Sequence, residues 1–260
     1  MTTYSIIQGA EPIFINGNET GVLVIHGFMG TPQSVEFLAQ SFGEKGYTVY
    51  APRLSGHGTH YKDLETYSFQ DWIGDVTQAY RHLKKQCARV FVVGQSMGGA
   101  LTSYLASKFS SISGIMLINP AISSIPCMEG YTTETCERYI LEGAPDIKKP
   151  DVYEITYDYA PTASIKQLFS LMKFVRSSLS QITCPVISFA SLEDHVVPAT
   201  NTDYLLEQTR AVQKTKVTLR NSYHVASMDY EKELIAARCI SFIRTICRSE
   251  ALVFPTSIAQ

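Results

Sequence analysis

The sequence predicts an α/β fold, a mostly parallel sheet flanked by helices with a helical cap inserted over one edge. Short β-branched runs alternate with longer amphipathic stretches, the rhythm of parallel strands joined by right-handed helical crossovers. The chain has 260 residues, 45% of them hydrophobic and 18% charged, which suits one compact domain and excludes intrinsic disorder. One long interval, from about Ala121 to Ile182, breaks the rhythm, and two neighbouring strands do not need so many residues between them.

In chain order, strands are expected at Gly21–His26 (GVLVIH), Thr48–Ala51 (TVYA), Arg89–Gly94 (RVFVVG), Gly114–Ile118 (GIMLI), Pro185–Ala190 (PVISFA) and Lys216–Arg220 (KVTLR). Each is short and rich in β-branched or large apolar residues, as a strand buried on both faces should be. Between them, apolar residues recurring at three- and four-residue spacing predict helices at Thr31–Lys45, Phe69–Gln86, Met97–Lys108, Asn201–Glu207 and Glu231–Cys247. In Ala121–Ile182 no strand is expected, and helix-like pieces are broken by Pro126, Pro145, Pro150 and Pro161. This interval reads as a cap over the carboxyl edge of the sheet, where open α/β folds bind ligands.

Composition narrows the function. Lysine plus arginine total 22 against 24 acidic residues, with no basic run, so nucleic acid is not an expected partner. No apolar run reaches the roughly 18 residues of a membrane span. The start, MTTYSIIQGAEPIFING, lacks a basic-then-apolar pattern and does not read as a signal peptide. The six cysteines (Cys87, Cys127, Cys136, Cys184, Cys239 and Cys247) are scattered, with no Cys-x-x-Cys pair. Free thiols and a cytoplasmic location are the expectation.

The chemistry centres on VVGQSMGGA, where Ser96 stands between Gly94 and Gly98 after a strand and before a helix. Such a turn holds a nucleophile in a strained conformation, and the flanking positions tolerate no side chain. A phosphate-binding reading of the glycines fails, because neither Gly-x-Gly-x-x-Gly nor a Gly-Lys-Ser ending is present. A serine hydroxyl needs a base and an acid that orients the base, in this context later in the chain and in the order acid, then histidine. His26, His57, His60 and His82 all precede Ser96. His195 directly follows the acids Glu193 and Asp194, and sequence neighbours do not readily face one another. His224 remains, in the loop between the last strand and the last helix. Glu193 and Asp194, after the strand PVISFA, are the candidate acids. The oxyanion donors are expected to be the backbone N–H groups of Met97, after the nucleophile, and of Phe28, at the turn after His26-Gly27. Gly56-His57-Gly58-Thr59-His60 lies in a glycine-rich turn rather than on a helix face, so neither metal nor cofactor is expected.

With these residues in place the chain resembles the α/β-hydrolase superfamily, and more narrowly the bacterial monoacylglycerol lipases and related small carboxylesterases. The resemblance runs over nearly the whole chain, through HGFMGTPQS, YTVYAPRLSGHGTHYKDL, GQSMGG, KPDVYEI with PTAS, EDHVVP and NSYHVASMDY. It implies an α/β-hydrolase fold, Ser96 as nucleophile, Asp194 and His224 as its partners, and Phe28 and Met97 as oxyanion donors. The Asp-x-x-Val-Pro setting of Asp194 resembles hydrolase acid loops and favours it over Glu193. The resemblance also implies that Glu154, in DVYEITY, helps hold glycerol hydroxyls. Gln95 departs from the family's usual leucine, and the segment after Arg248, SEALVFPTSIAQ, extends beyond the typical family end. The expected activity is cleavage of a small, lipid-like ester, most simply a monoacylglycerol, without metal or cofactor, in a single domain that leaves a homodimer open. The alternatives are a short-chain carboxylesterase and a hydrolase-fold binding protein without turnover.

Overall fold

A computed structural model describes residues 4–133 and 137–253, so Cys136 and residues 254–260 of the C-terminal segment lie outside the described residues. In chain order the elements are β1 (Ile13–Ile15), β2 (Thr20–Ile25), α1 (Glu36–Gly43), β3 (Thr48–Ala51), α2 (Tyr61–Leu64), α3 (Phe69–Lys84), β4 (Arg89–Gln95), α4 (Met97–Lys108), β5 (Gly114–Ile118), α5 (Pro126–Glu129), β6 (Tyr139–Leu141), β7 (Tyr159–Pro161), α6 (Thr162–Arg176), β8 (Val186–Ser191), α7 (Thr200–Gln208), β9 (Lys214–Leu219) and α8 (Lys232–Val253). The main sheet has the order β1-β3-β2-β4-β5-β8-β9. All its pairings are parallel except β1 against β3, which is antiparallel.

Side chains alternate across the sheet with the two-residue period of strands. Leu23, Val92 and Leu117 face α3 and α4, with α6 and the cap beyond them. Val22, Phe91 and Ile118 face the opposite layer, built from α1 and α8. The central strands β2, β4, β5 and β8 are therefore buried on both faces, which is why they read as continuous apolar runs rather than alternating ones. Trp72, the sole tryptophan, is fully buried from α3, and its indole N–H donates to the Ser55 carbonyl at 3.1 Å.

Several elements differ from the sequence expectation. The interval expected to hold no strand contains the two-stranded antiparallel sheet β6-β7. Its strands have only three residues each, too few for a period to register, and their pairing joins residues far apart in the chain. The edge strand β1 escapes notice for the same reason. The helix expected at Thr31–Lys45 begins as a 3₁₀ turn, Pro32–Val35, and becomes α-helical only from Glu36 to Gly43, with Pro32 in the first turn where no N–H is required. Strand β9 lies two residues earlier at its start than expected, and α8 runs past Cys247 to Val253. The first residues after Arg248 therefore continue a helix.

The interval expected as a cap lies between β5 and β8 and holds α5, β6, β7 and α6. It is laced to the core by specific bonds. Arg138 makes a two-pronged pair with Glu65, both contacts at 2.8 Å, and the Tyr139 hydroxyl donates to the same carboxylate at 2.9 Å. The Tyr157 hydroxyl donates to the Gly56 carbonyl at 2.6 Å and accepts from the Thr59 N–H at 2.8 Å.

Candidate active site

The turn from β4 to α4 places Ser96 at φ 54°, ψ −119°, a region L residues avoid. Two close approaches explain its glycines. A Cβ on Gly94 would stand 2.1 Å from the Gly98 carbonyl oxygen, and one on Gly98 would stand 2.3 Å from the Ile25 carbonyl oxygen. Neither position can carry a side chain without moving β2 or the helix start. The strained serine is held by its N–H, which donates to the Ile118 carbonyl at 2.9 Å, and by its carbonyl, which accepts from Gly99 and Ala121.

His224 reaches this turn from the loop after β9. Its Nε2 lies 2.9 Å from Ser96 Oγ, and its Nδ1 lies 2.8 Å from Asp194 Oδ2. A carboxylate only accepts, so Nδ1 carries the proton and Nε2 is left to accept from the serine hydroxyl. The other oxygen of Asp194 accepts from the N–H groups of Val196 at 2.9 Å and Val197 at 2.7 Å, so the acid is aimed by its own loop. Burial alone would lower the His224 pKa. The charge and hydrogen bond of Asp194, helped by Asp146 and Glu154, outweigh that and hold it above its ordinary value.

The Gly27–Phe28 loop passes directly against the serine, since a methyl on Gly27 would lie 3.3 Å from Ser96 Cβ. Among the described residues neither the Phe28 nor the Met97 N–H has a protein hydrogen-bond partner. Met97 opens α4, where the first N–H has no intrahelical acceptor and the helix dipole favours negative charge. The peptide joining Gly27 to Phe28 is pinned by His26, whose Nδ1 donates to the Gly27 carbonyl at 2.9 Å. Because C=O and N–H of one trans peptide point in opposite directions, that bond turns the Phe28 N–H away from His26. His26 Nε2 accepts from the Leu54 N–H at 3.2 Å, and burial pushes the ring's pKa down to about 4, so the ring stays neutral in the tautomer the pin requires.

Glu154 descends from the cap onto the same loop. Its Oε1 lies 2.8 Å from where a Cβ on Gly30 would stand. Burial pushes its carboxyl up to about 7, against the opposing pull of His224 and Ser34. The Gln33 side chain clamps the backbone on either side of it, donating to the Tyr153 carbonyl at 2.7 Å and accepting from the Ile155 N–H at 3.2 Å. A cavity of about 120 Å³ adjoins the site, with Phe28, Ile125, Met128, Leu168 and Val196 as apolar walls and Ser96, His224, Glu142 and Asp146 as polar ones.

The structure thus brings Ser96, His224, Asp194, Phe28, Met97 and Glu154 to one place. Glu193 lies outside it, paired with Lys148 at 3.0 Å, and His195 bonds Asp146 at 2.7 Å. The His57 ring is buried against Trp72 and Phe28, while His60 caps α2 and stacks between Tyr4 and Tyr61, so the two rings do not converge. Gln95, the departure from leucine, is buried and accepts from the Ser227 N–H at 3.2 Å, tying the turn to the histidine loop. Three contributors were not legible in the sequence. The His26-Gly27 pair after a strand carried a faint signal. Asn119 bridges the His224 carbonyl (2.9 Å) and Ser191 (2.8 and 3.0 Å), a role only the ends of β5 and β8 lying side by side reveals. Gln33 acts on residues more than a hundred positions away and leaves no local trace.

The chain is similar to known lipases and esterases over most of its length. A family model described as serine aminopeptidase, S33, matches residues 18–143. A thermostable monoacylglycerol lipase of Bacillus sp. (strain H-257) is 45% identical over 241 residues, covering 92% of this chain and 96% of that protein. A carboxylesterase of Bacillus subtilis (strain 168) is 25% identical, covering 91% and 97%. Among solved structures, one reported with the metagenome-derived lipolytic enzymes LipS and LipT superposes with a TM-score of 0.90 at 38% identity, covering 93% of this chain and 100% of that one. The monoacylglycerol lipase of Paleococcus ferrophilus shares the fold, with a TM-score of 0.75 at 17% identity over 90% of this chain and 98% of that one.

Proposed function

The chain belongs to the α/β-hydrolase superfamily, in the family of the bacterial monoacylglycerol lipases and small carboxylesterases, and we propose that it hydrolyses monoacylglycerols to fatty acid and glycerol through an acyl-enzyme on Ser96. One observation carries the reading: the unbroken hydrogen-bond chain from Asp194 through His224 to Ser96 at 2.8 and 2.9 Å.

In this reading Ser96 Oγ attacks the ester carbonyl carbon as His224 Nε2 takes its proton, and Asp194 stabilises the imidazolium without taking the proton itself. The carbonyl oxygen becomes an oxyanion between the N–H groups of Phe28 and Met97, each donor worth about 3 to 4 kcal/mol in the transition state. Collapse breaks the bond to glycerol, whose oxygen leaves with the proton from His224. A water then gives its proton to His224 and attacks the acyl carbon, releasing the acid and restoring Ser96. Glu154 is the group we assign to the glycerol hydroxyls. Its burial, its place over the oxyanion loop and a pKa near neutrality support a carboxyl able to accept from, or donate to, a hydroxyl. The apolar walls of the adjoining cavity suit an acyl chain. No metal or cofactor enters any step.

We read residues 121–182 as a cap within a single hydrolase domain. No helix among the described residues is long and apolar enough to cross a membrane. Cys87, Cys127, Cys184 and Cys239 are free thiols, and a cytoplasmic location is part of this reading. Sedimentation velocity would distinguish a monomer from a homodimer. Two measurements test the function. A fluorophosphonate should label the native protein and not Ser96→Ala. Turnover of monoacylglycerols should exceed that of simple esters matched in acyl length, and indifference to the glycerol head would replace the lipase reading with the short-chain carboxylesterase one.

A further inference from the structure

The cap residue Asp146 touches both loops that carry the partners of Ser96. One of its carboxylate oxygens, Oδ2, accepts from the His224 N–H at 3.0 Å and from the His195 N–H at 3.1 Å. The other, Oδ1, lies 2.7 Å from His195 Nδ1, and its backbone carbonyl accepts from the Val225 N–H at 3.0 Å. His195 follows Asp194 directly, so a single carboxylate oxygen fixes the distance between the main chain beside the acid and the main chain of the base. Asp229 continues the seam. It accepts from the N–H groups of Lys148 and Lys149 in the cap and of Tyr223, the residue before His224.

We propose that Asp146 is a positioning residue, a bracket from the cap that holds the acid loop and the histidine loop in the register where Asp194 and His224 bond, so that seating the cap completes the triad. The proposal rests on the triad reading given above. The bracket acts in two ways. Two hydrogen bonds from one cap residue to consecutive N–H groups, at 224 and 225, remove the freedom of the histidine loop to turn its ring away from Ser96. A fixed negative charge also stands beside the imidazole and favours its protonated form, alongside Asp194 on the loop after β8 and Glu154 from the cap. Facing Asp146 from the other side is His195, with the Lys148–Glu193 pair on the adjoining surface. His195 is exposed, and replacing it leaves the bond from Asp146 to His224 in place.

The test uses the full chain with a small chromogenic ester, so that recognition of the alcohol plays no part. Asp146→Asn keeps the shape and removes the charge, and Asp146→Ala removes the carboxylate bonds to the His224 and His195 N–H groups while the backbone bond to Val225 stays. His195→Ala removes only the outer bond. For Asp146→Ala, kcat should fall about 10- to 100-fold with KM within about twofold, as a displaced reacting group requires, and for Asp146→Asn, which keeps an acceptor oxygen, it should fall less. The acid limb of kcat/KM should move to lower pH by about half a unit or more, because a negative charge beside His224 is gone. The far-downfield proton resonance of His224 Nδ1–H should shift or broaden, and Asp146→Glu should restore part of the rate. His195→Ala should leave the acid limb where it was. A lowered melting temperature with unchanged kcat, acid limb and resonance would overturn the proposal and make Asp146 a fastening of the cap alone. Fluorophosphonate labelling of the native protein, absent in Ser96→Ala, reports separately on the triad reading, so the two failures are distinguishable.

Discussion

At the scale of single residues, two titrating groups share one site. His224 must be neutral to accept the serine proton, and its pKa is held above the ordinary 6.5. The acid limb of kcat/KM is therefore expected with its midpoint above 6.5, measurable with a simple ester from pH 5 to 9. For stability the sign is the usual one for a histidine with a partner. Protonated His224 stabilises the fold below its unfolded pKa, and that contribution is lost as pH rises through the folded value. Glu154 works in the opposite sense to most carboxyls. Its folded pKa of about 7 lies above 4.5, so the folded state binds its proton more tightly and stability is lost as pH rises from 4.5 to 7. Glu154→Gln should therefore raise stability at pH 8 by at most on the order of 3 kcal/mol. The gain should vanish towards pH 4, as read from urea midpoints. The same variant should lose about tenfold in kcat/KM on monoacylglycerols and little on simple esters. Ser96, His224 and Asp194 could be singled out in the sequence because chain order and glycine turns are local signals. His26, Asn119 and Gln33 could not, because each acts on backbone groups whose positions depend on the sheet.

At the scale of elements, the turn between β4 and α4 and the helix clamp at Gln33 make separable demands. The turn has no room for a side chain at Gly98, where a methyl would meet the Ile25 carbonyl oxygen at 2.3 Å. Gly98→Ala should therefore destabilise the protein by several kcal/mol or prevent folding, visible as a lowered urea midpoint or loss of soluble protein. Gln33→Ala removes two bonds to the cap backbone on either side of the buried Glu154 and leaves the sheet intact. Its melting temperature should change little, while KM for monoacylglycerols rises with the loosened Glu154 and KM for simple esters does not. The long core strands and the main helices were legible because burial on both faces makes unbroken apolar runs and helix faces make regular ones. Strands β1, β6 and β7 were not, since three residues carry no period and their formation depends on partners supplied by the fold.

At the scale of the whole molecule, the cap and the sheet share one continuous apolar cluster, which joins Trp72 and Leu101 in the core helices to Ile165 and Leu168 in the cap helix. If residues 121–182 belong to the same domain as the sheet, emission from the single tryptophan and far-ultraviolet dichroism should trace one coincident urea transition. Two transitions would divide the chain into separately folding parts. The near-balance of charge and the apolar cavity beside Ser96 are consistent with an uncharged ester as substrate. In the proposed reaction this ester is cleaved through a covalent intermediate on one serine. The direct measurement is rapid acid quenching during turnover of a slowly deacylating ester, followed by peptide mapping by mass spectrometry. An acyl adduct on Ser96, formed at the rate of the initial burst and absent from Asp194 and Glu154, is the result expected. Turnover with no adduct, or with the acyl group on another residue, would contradict it.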